Sequence, residues 1–245
     1  MCQSFGSLVN LELDTVPFTI SPSDVAENTF NFSRLNSLTL VKMAPEILQE
    51  IFRICVFEDT EEMDRLVFVQ CPRLNQVAFP LLLTPELYLV GLDAEVDFEP
   101  ILQDWGGEIL SISCCSNFSD AFLQRLATRQ YHQSEHVVGE AFQFLCHEMT
   151  TLDLHFPDST PFSVDALRNM VEARNYEVDY TDANWTESMG LGPAITDVRA
   201  FGKVPELSQE DEEWFRSRLI HFFSWGEAIV DTLWFVLSFA IRASN

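Results

Sequence analysis

Basic side chains are scarce in this sequence. Its 245 residues contain 14 Lys and Arg against 38 Asp and Glu, which leaves a formal net charge of −24. An electric field of that sign repels phosphate groups, so nucleic acids and anionic membrane surfaces are disfavoured as ligands. The same field favours encounter with a basic protein.

Features of secreted and membrane proteins are also missing. The six cysteines form no C-x-x-C pair and no disulfide-framework spacing, which favours reduced thiols. Residues 1–7 have neither the basic region nor the apolar run of a signal peptide. The apolar stretch 228–243 is interrupted by Asp231, which leaves ten charge-free residues at 232–241, whereas a spanning helix needs about 20. We therefore predict a cytoplasmic or nuclear protein with a packed final helix, a membrane anchor being the alternative.

Catalytic and cofactor motifs are absent too. No phosphate-binding loop or dinucleotide fingerprint occurs. One cluster, His132, His136, Cys146 and His147, has the side chains of a metal site. Its H-x-x-x-H part could place two imidazoles on one helical face, but the spacing to Cys146 matches no common zinc module. We predict no enzyme activity, no cofactor and no metal, and a surface helix or loop at this cluster.

What the sequence does contain is a repeat. The segments 8–13, 35–40 and 63–68 each have the pattern L-x-x-L-x-L, with Met63 in the first slot of the third, and they begin 27 and 28 residues apart. Weaker copies begin at 84, 107 and 149, and a last strand is predicted at 195–201. This spacing is typical of leucine-rich repeats. It predicts an α/β solenoid, a curved parallel sheet with helices on its convex side and irregular repeats.

Helices are predicted between the strands. Capping residues and helical apolar patterns indicate helices that begin at 21 and cover 45–55, 119–126, 163–174 and 210–222. Residues 130–148 are surplus to the repeat and are either an insertion or a degenerate repeat with a helix at 140–147. We expect a repeat domain at 1–205 and a helical C-terminal cap or tail at 206–245.

Two cysteines occupy a characteristic slot. Counted from the first residue of their segments, Cys71 and Cys115 are both position nine. A leucine-rich repeat fills this position with Asn or Cys, so that the side chain meets the backbone of the turn that leaves the strand. We therefore predict structural roles for both thiols, because a nucleophilic cysteine also needs a histidine beside it.

The residues between the leucines form the predicted interaction surface. Successive strand side chains alternate between faces, so these residues line the concave face of a solenoid. The candidates for contact with a protein partner are Asn10, Glu12, Ser37, Thr39, Arg65, Val67, Glu86, Tyr88, Ser111, Ser113, Thr151, Asp153 and His155.

The strand spacing, the cysteine slot and the acidic, aromatic segment 210–218 together resemble the leucine-rich-repeat region of fungal, basidiomycete-like F-box proteins. The resemblance covers most of residues 8–218. In that family an F-box of about forty residues docks on the Skp-type adaptor of a cullin ubiquitin ligase, and the repeats hold the protein to be ubiquitinated. The resemblance implies a substrate-recognition role. No F-box precedes the first repeat in this sequence.

A second interpretation places an F-box within the repeats themselves. Residues 43–88 are similar to an F-box in their opening around Pro45, in Cys71 and Arg73, and in their closing Pro85-x-Leu87. They depart from it at Ala44 and Leu74. We favour repeats, because the strands predicted at 35 and 63 keep the register begun at Leu8. The alternatives are a Skp-binding F-box at 43–88, or a scaffold unrelated to ubiquitin.

Overall fold

A computed structural model describes residues 3–4, 8–15, 30–32, 34–56, 63–77, 84–103, 105–132, 141–175 and 193–226. These residues divide into two compact units. The first contains the described residues up to Gly107 together with Cys115–Asn117. The second contains Glu108–Cys114 and the described residues from Phe118 onward.

The first unit is built around parallel strands. Its strands are, in chain order, β1 (Gln3–Ser4), β2 (Asn10–Asp14), β3 (Phe30–Asn31), β4 (Ser37–Val41), β5 (Cys55–Val56), β6 (Arg65–Val69) and β7 (Glu86–Val90). The strands β2, β4, β6 and β7 lie side by side in this order and run parallel. The short strands β1, β3 and β5 form a separate parallel sheet.

The register of the main strands follows the repeat. Asn10 pairs with Ser37, Ser37 with Arg65, and Arg65 with Glu86. Equivalent positions of the four segments are therefore neighbours in the sheet, as the spacing of the leucines predicted. The apolar residues at positions four and six of the last three segments are fully buried; they are Leu38, Leu40, Leu66, Phe68, Leu87 and Leu89.

Helices cover the leucine-bearing face of this sheet. The helix α1 (Pro45–Ile54) has Pro45 in its first turn and buries Leu48 and Ile51, which confirms the helix predicted at 45–55. The ring centroids of Phe52 in α1 and Phe68 in β6 are 6.5 Å apart, so α1 packs on the leucine face. Right-handed crossovers between strands in sequence order all pass on one side of a sheet. A 3-10 helix (Leu74–Gln76) and the short helix α2 (Glu99–Leu102) complete the connections.

A recurring turn ends the strands. The residue directly after each of the four main strands has a positive φ, in the left-handed region; these residues are Thr15, Lys42, Gln70 and Gly91. The amides of Lys42 and Gln70 donate to the carbonyl oxygens of Val69 and Val90, both at 2.8 Å. Because the turn recurs with the leucine pattern, the repeat extends beyond the strands into the connections.

Both cysteines at position nine meet backbone, as predicted. Cys71 Sγ donates to the carbonyl oxygen of Leu40 at 3.3 Å. Cys115 Sγ donates to the carbonyl oxygen of Leu89 at 3.3 Å and accepts from the amide of Leu92 at 3.4 Å. Each thiol thus ties its own turn to a neighbouring strand of the first unit.

The second unit repeats this plan. Its strands are β8 (Ile109–Ser113), β9 (Arg129–His132), β10 (Ala141–Phe144), β11 (Thr151–Phe156), β12 (Asp197–Gly202) and β13 (Phe222–Gly226). The strands β8, β11, β12 and β13 lie side by side in that order and run parallel. Their core positions are fully buried up to β12: Leu110, Ile112, Leu152, Leu154, Val198 and Ala200.

The surplus segment is an insertion. Strands β9 and β10 pair antiparallel, with His132 opposite Ala141 and Arg129 opposite Phe144. The alternative with a helix at 140–147 is wrong, because residues 141–144 are a strand and residues 145–148 form a turn.

Three helices belong to the second unit: α3 (Asp120–Leu126), α4 (Val164–Asn175) and α5 (Gln209–Arg218). They confirm the helices predicted at 119–126 and 163–174. Ser163 Oγ accepts from the amide of Ala166 at 3.1 Å, and Ser208 Oγ from that of Asp211 at 3.1 Å. At the N-cap of α3, Ser119 makes no side-chain cap hydrogen bond.

The helix predicted at 210–222 ends early. It is helical to Arg218, and β13 follows, paired with β12, where only helical cap was expected. Aromatic side chains favour this strand, because Phe223 stacks on Phe215 of α5 at 5.0 Å between centroids and Trp225 meets Phe162 edge-on at 5.9 Å.

The predicted α/β class with parallel strands is confirmed. The leucine-rich-repeat solenoid and the division at residue 205 stay predictions. The helix predicted from residue 21 and the apolar stretch 228–243 lie outside the described residues.

Candidate protein-binding surface

All thirteen predicted contact residues lie in main strands of the two units. They alternate with the buried core positions, so they share the face opposite to the leucines, which we call the second face of each unit. Within the first unit, Glu12 pairs with Thr39, Thr39 with Val67, and Val67 with Tyr88. The predicted row of neighbours is therefore present in that unit.

A polar group occupies one end of the second face in the first unit. Arg65 Nε donates to Glu86 Oε2 at 2.7 Å, and Tyr88 OH donates to the same oxygen at 3.2 Å. The Arg65 guanidinium lies 5.0 Å from the centroid of the Tyr88 ring. Burial lowers the pKa of Arg65, but the hydrogen bond to Glu86 and nearby negative groups outweigh burial and raise it overall. The cation is therefore held in a fixed position, part-exposed, by two neighbours.

Exposure along this face is uneven. Asn10 and Glu12 on β2 are exposed, whereas Thr39, Val67 and Tyr88 are buried. At the third outward position of each strand, Val41, Val69 and Val90 extend the buried group, and the pattern of predicted residues did not include them. They form one apolar cluster, consisting of Val41, Val67, Val69, Tyr88 and Val90.

The second face of the second unit is polar. Ser111 is next to Asp153, and Ser113 is next to His155. Ser113 Oγ lies 3.1 Å from His155 Nδ1. Burial lowers the pKa of His155 below its ordinary value, so this imidazole is neutral at pH 7. Thr151 is buried beside Asp153 in β11.

Two residues of β12 belong to this surface and were not predicted. Arg199 Nη1 lies 3.3 Å from Asp153 Oδ2, and Asp197 pairs with Thr151 in the sheet. The signal was present in the sequence, because the strand predicted at 195–201 has the same alternation as the others. Asp197 and Arg199 occupy the third and fifth positions of that segment, which are contact positions elsewhere.

The surface offers little nucleophilic chemistry. Ser113 next to His155 has the residue types of a nucleophile and a base, but the Ser113 side chain is buried. Burial raises the pKa of Cys71 to about 11, although hydrogen bonds with the backbone lower it. That thiol is protonated at neutral pH and acts as a hydrogen-bond donor.

The four residues with metal-ligand side chains, for which a surface helix or loop was predicted, lie in different parts of the fold. His132 ends β9, Cys146 and His147 lie in the turn after β10, and His136 lies outside the described residues. Burial raises the pKa of Cys146 to about 12. In the described ranges, no three His, Cys, Asp or Glu side chains are grouped closely enough to hold a metal ion.

Charge is distributed unequally on the two second faces. The arginines Arg65 and Arg199 each contact a carboxylate on the neighbouring strand. On β2, Glu12 and Asp14 are both exposed on the second face. Solvent and any partner therefore meet negative charge at that strand.

Comparison with protein-family models, curated proteins and solved structures found no match to this chain. None of the helices in the described part of the chain is long and apolar enough to cross a membrane.

Proposed function

We propose that this chain is a protein-interaction module that binds its partner through the second face of its parallel strands. The observation that supports the proposal most is the register of that face: side chains at equivalent positions of successive segments are direct neighbours. The members of the row that reach the surface, among them Glu12, Arg65 and Glu86, can face a partner from neighbouring strands, as side chains of repeat proteins do. Hot spots are a minority in any interface, so only some of the thirteen residues will dominate binding.

The partner that fits is a basic protein. The net charge is −24, and the carboxylates of Glu12 and Asp14 are exposed on the edge strand β2. Opposite charge speeds association and selects among partners more than it adds affinity. Lysine or arginine side chains of the partner would therefore lie against β2.

The resemblance to fungal F-box proteins extends the proposal to a biological setting. In this setting the chain is the substrate-recognition part of an F-box-type ubiquitin ligase subunit in the cytoplasm or nucleus. The protein held on the second face would be the protein to be ubiquitinated. A stand-alone scaffold would use the same surface without a link to ubiquitin.

Affinity capture with a matched charge control tests the proposal. The full chain carrying Glu12→Lys and Asp14→Lys is compared with wild type and with a chain carrying Asp93→Lys and Glu95→Lys. All four carboxylates are exposed, and both double variants change the charge by the same amount. We expect a partner, confirmed with purified protein, to be recovered at least about tenfold less with the β2 variant only. Equal recovery with all three chains would contradict binding at β2.

Binding of the purified chain to a Skp-type adaptor separates the two F-box interpretations. With repeats at 43–88 we expect no binding. Binding that is lost in the variant Pro45→Ala, Ile47→Asp, while that variant keeps its circular dichroism spectrum, would show instead that α1 belongs to an F-box. Ile47 is only half-buried on α1, so its replacement is compatible with folding.

A further inference from the structure

The leucine core of the first unit is open at β2, where the row of main strands ends within the described residues. Leu8, Leu11 and Leu13 are part-exposed, and Val9 is 46% exposed. In the next segment the equivalent leucines are 2% exposed or less; they are Leu35, Leu38 and Leu40. The outer side of the first leucine row therefore reaches solvent.

The backbone of β2 is open on the same side. The carbonyl oxygen of Val9 accepts from the amide of Ser37, and the amide of Thr15 donates to the carbonyl oxygen of Val41, both at 3.1 Å. The odd-numbered residues of this segment therefore bond to β4. In a parallel ladder, successive residues direct their N–H and C=O groups to opposite sides. The groups that point away from β4, and that can pair with a further strand, belong to Asn10, Glu12 and Asp14.

The charges at this edge restrict what can pair with it. The side chains of Glu12 and Asp14 are exposed on the second face, and the Asp14 carboxylate accepts from Thr15 Oγ1 at 2.7 Å. Like charges directly opposite each other destabilise a sheet, so the two acids hinder pairing with β2 of a second copy. Opposite charges stabilise a pair, so the acids favour lysine or arginine at the neighbouring positions of an added strand.

We propose that a basic segment of the partner adds to the first unit as an extra strand beside β2. Its side chains alternate, with lysine or arginine next to Glu12 and Asp14 on the second face and apolar residues next to Leu11 and Leu13 on the leucine face. Main-chain hydrogen bonds give such complexes their affinity, and alternate side chains give them specificity. The proposal rests on the proposed function, because it specifies how the basic partner binds at β2.

An added strand can run in either direction, and the direction decides which of its backbone groups face β2. In a parallel strand the apolar residues direct their N–H groups to β2, as the leucines of β2 do toward β4. In an antiparallel strand, the residues of a hydrogen-bonded pair lie opposite each other and share a face, so the basic residues direct their N–H groups to β2. In both cases every second residue of the segment bonds to β2.

Binding of a designed peptide to the full chain tests the proposal. The probe is a fluorescent peptide of about nine residues in which lysine and valine alternate, and fluorescence anisotropy measures its dissociation constant. A peptide of the same composition with its lysines in one block is the first control. The second is the chain with Glu12→Lys and Asp14→Lys, compared with the equally charged chain that carries Asp93→Lys and Glu95→Lys. We expect the block peptide and the β2 variant to weaken binding at least about tenfold, and the Asp93, Glu95 variant to bind as wild type does.

A matched pair of N-methylated peptides tests the strand pairing itself on the wild-type chain. One carries N-methyl groups on its lysines and the other on its valines, so each keeps its charge but loses every second N–H donor. We expect one of them to bind at least about tenfold more weakly and the other to bind within about a factor of two of the unmodified peptide. The peptide that loses affinity identifies the direction of the added strand.

Several results would overturn the added strand: no saturable binding below about 1 mM, equal losses from the two N-methylated peptides, or no loss from either. Self-association of the free chain that Glu12→Lys and Asp14→Lys abolish would assign the edge to a second copy and would also overturn it. Capture of a partner that depends on β2, together with N-methylated peptides that bind equally, would refute the added strand and leave the proposed function standing. Capture that does not depend on β2 would contradict the proposed function instead.

Discussion

Replacing Arg174 with lysine should destabilise the protein more than replacing it with methionine. Arg174 lies in the last turn of α4 and is 3% exposed. Its Nη1 donates to the carbonyl oxygen of Leu145 at 2.9 Å and its Nη2 to that of Cys146 at 2.8 Å. Two further carbonyl oxygens, of Leu126 and Met149, lie at 3.5 Å. The guanidinium thus joins α4 to the turn that leads from the insertion into β11.

The charge on Arg174 is costly to bury. Burial lowers its pKa to about 10, although the neighbouring Cys146 acts in the opposite direction. A lowering of that size corresponds to roughly 3 kcal/mol against the charged form. Methionine removes the short hydrogen bond to the carbonyl oxygen of Leu145, at about 1–3 kcal/mol, whereas the carbonyl oxygen of Cys146 still accepts from the amide of Met149 at 3.0 Å. It also removes the cost of burying the charge. We therefore expect Arg174→Met to lower the free energy of unfolding by about 1–3 kcal/mol.

Lysine keeps the positive charge but loses the paired N–H donors of the guanidinium. A single ammonium group cannot reproduce the paired geometry of the guanidinium, and it is more strongly hydrated. One carbonyl is then left without a donor while the burial cost remains, so we expect Arg174→Lys to cost about 3–5 kcal/mol. Urea denaturation followed by circular dichroism measures both variants.

The control is Arg216, which is exposed on α5 and pairs with Glu212 one turn away. Its replacement by methionine or lysine should change stability by less than about 0.5 kcal/mol. An Arg174→Lys variant that is as stable as wild type, or more stable than Arg174→Met, would refute the argument that the paired donors of the guanidinium are needed.

Three further predictions concern single positions, each followed by denaturation. Cys71→Ala removes a buried donor and should cost about 1–3 kcal/mol, whereas Cys114→Ala, at an exposed position, should cost little; equal losses would argue against the position-nine hydrogen bond. Gly107→Ala should be strongly destabilising, because its Cβ would overlap a backbone carbonyl oxygen and the ring of a buried tryptophan, while Gly106→Ala meets nothing within 4 Å and should be near neutral. Burial lowers the pKa of His155, so below about pH 6.5 the unfolded chain takes up a proton more readily than the folded chain, and the free energy of unfolding decreases as the pH is lowered. The variant His155→Gln should therefore lose less stability than wild type between pH 7 and pH 5. The same pH profile for the variant and wild type would contradict this.

The leucine spacing predicted the strands well because it reports two constraints together. Core positions four and six must be apolar, and the turn after position seven must recur for the next strand to align. Each predicted strand begins two residues early, however: the second was predicted at 35–40 and is observed at Ser37–Val41. Leu35 is buried although it precedes the first residue of β4. An apolar residue at this position therefore indicates a place in the core but not in the strand.

The elements that the sequence did not predict depend on contacts with distant residues. Strand β13 has no leucine pattern and is stabilised by pairing with β12 and by the stacking of Phe223 on Phe215. The insertion was one of two alternatives, but the pairing of β9 with β10 was not predicted, because neither strand has a repeat signature. For Arg174 the sequence predicted only a place at the end of the helix at 163–174, and its four carbonyl contacts come from residues 25 to 48 positions away. Local pattern cannot contain such information.

Burial of the second face, unlike these elements, could have been predicted from the sequence, because the polar and apolar pattern differs between the strands. Strand β2 alternates polar and apolar residues, as expected for a sheet with one face in water. Strand β6 contains Leu66-Val67-Phe68-Val69, and β7 contains Leu87-Tyr88-Leu89-Val90, both uninterrupted apolar runs. Runs of this kind are typical of strands that are buried on both faces. Assigning contact residues by alternation alone therefore treated Glu12 and Val67 as equivalent, although only the first lies on a strand whose sequence requires water on one side. A partner that binds without rearrangement should contact β2 and the part-exposed Arg65 and Glu86 before it reaches the buried valines.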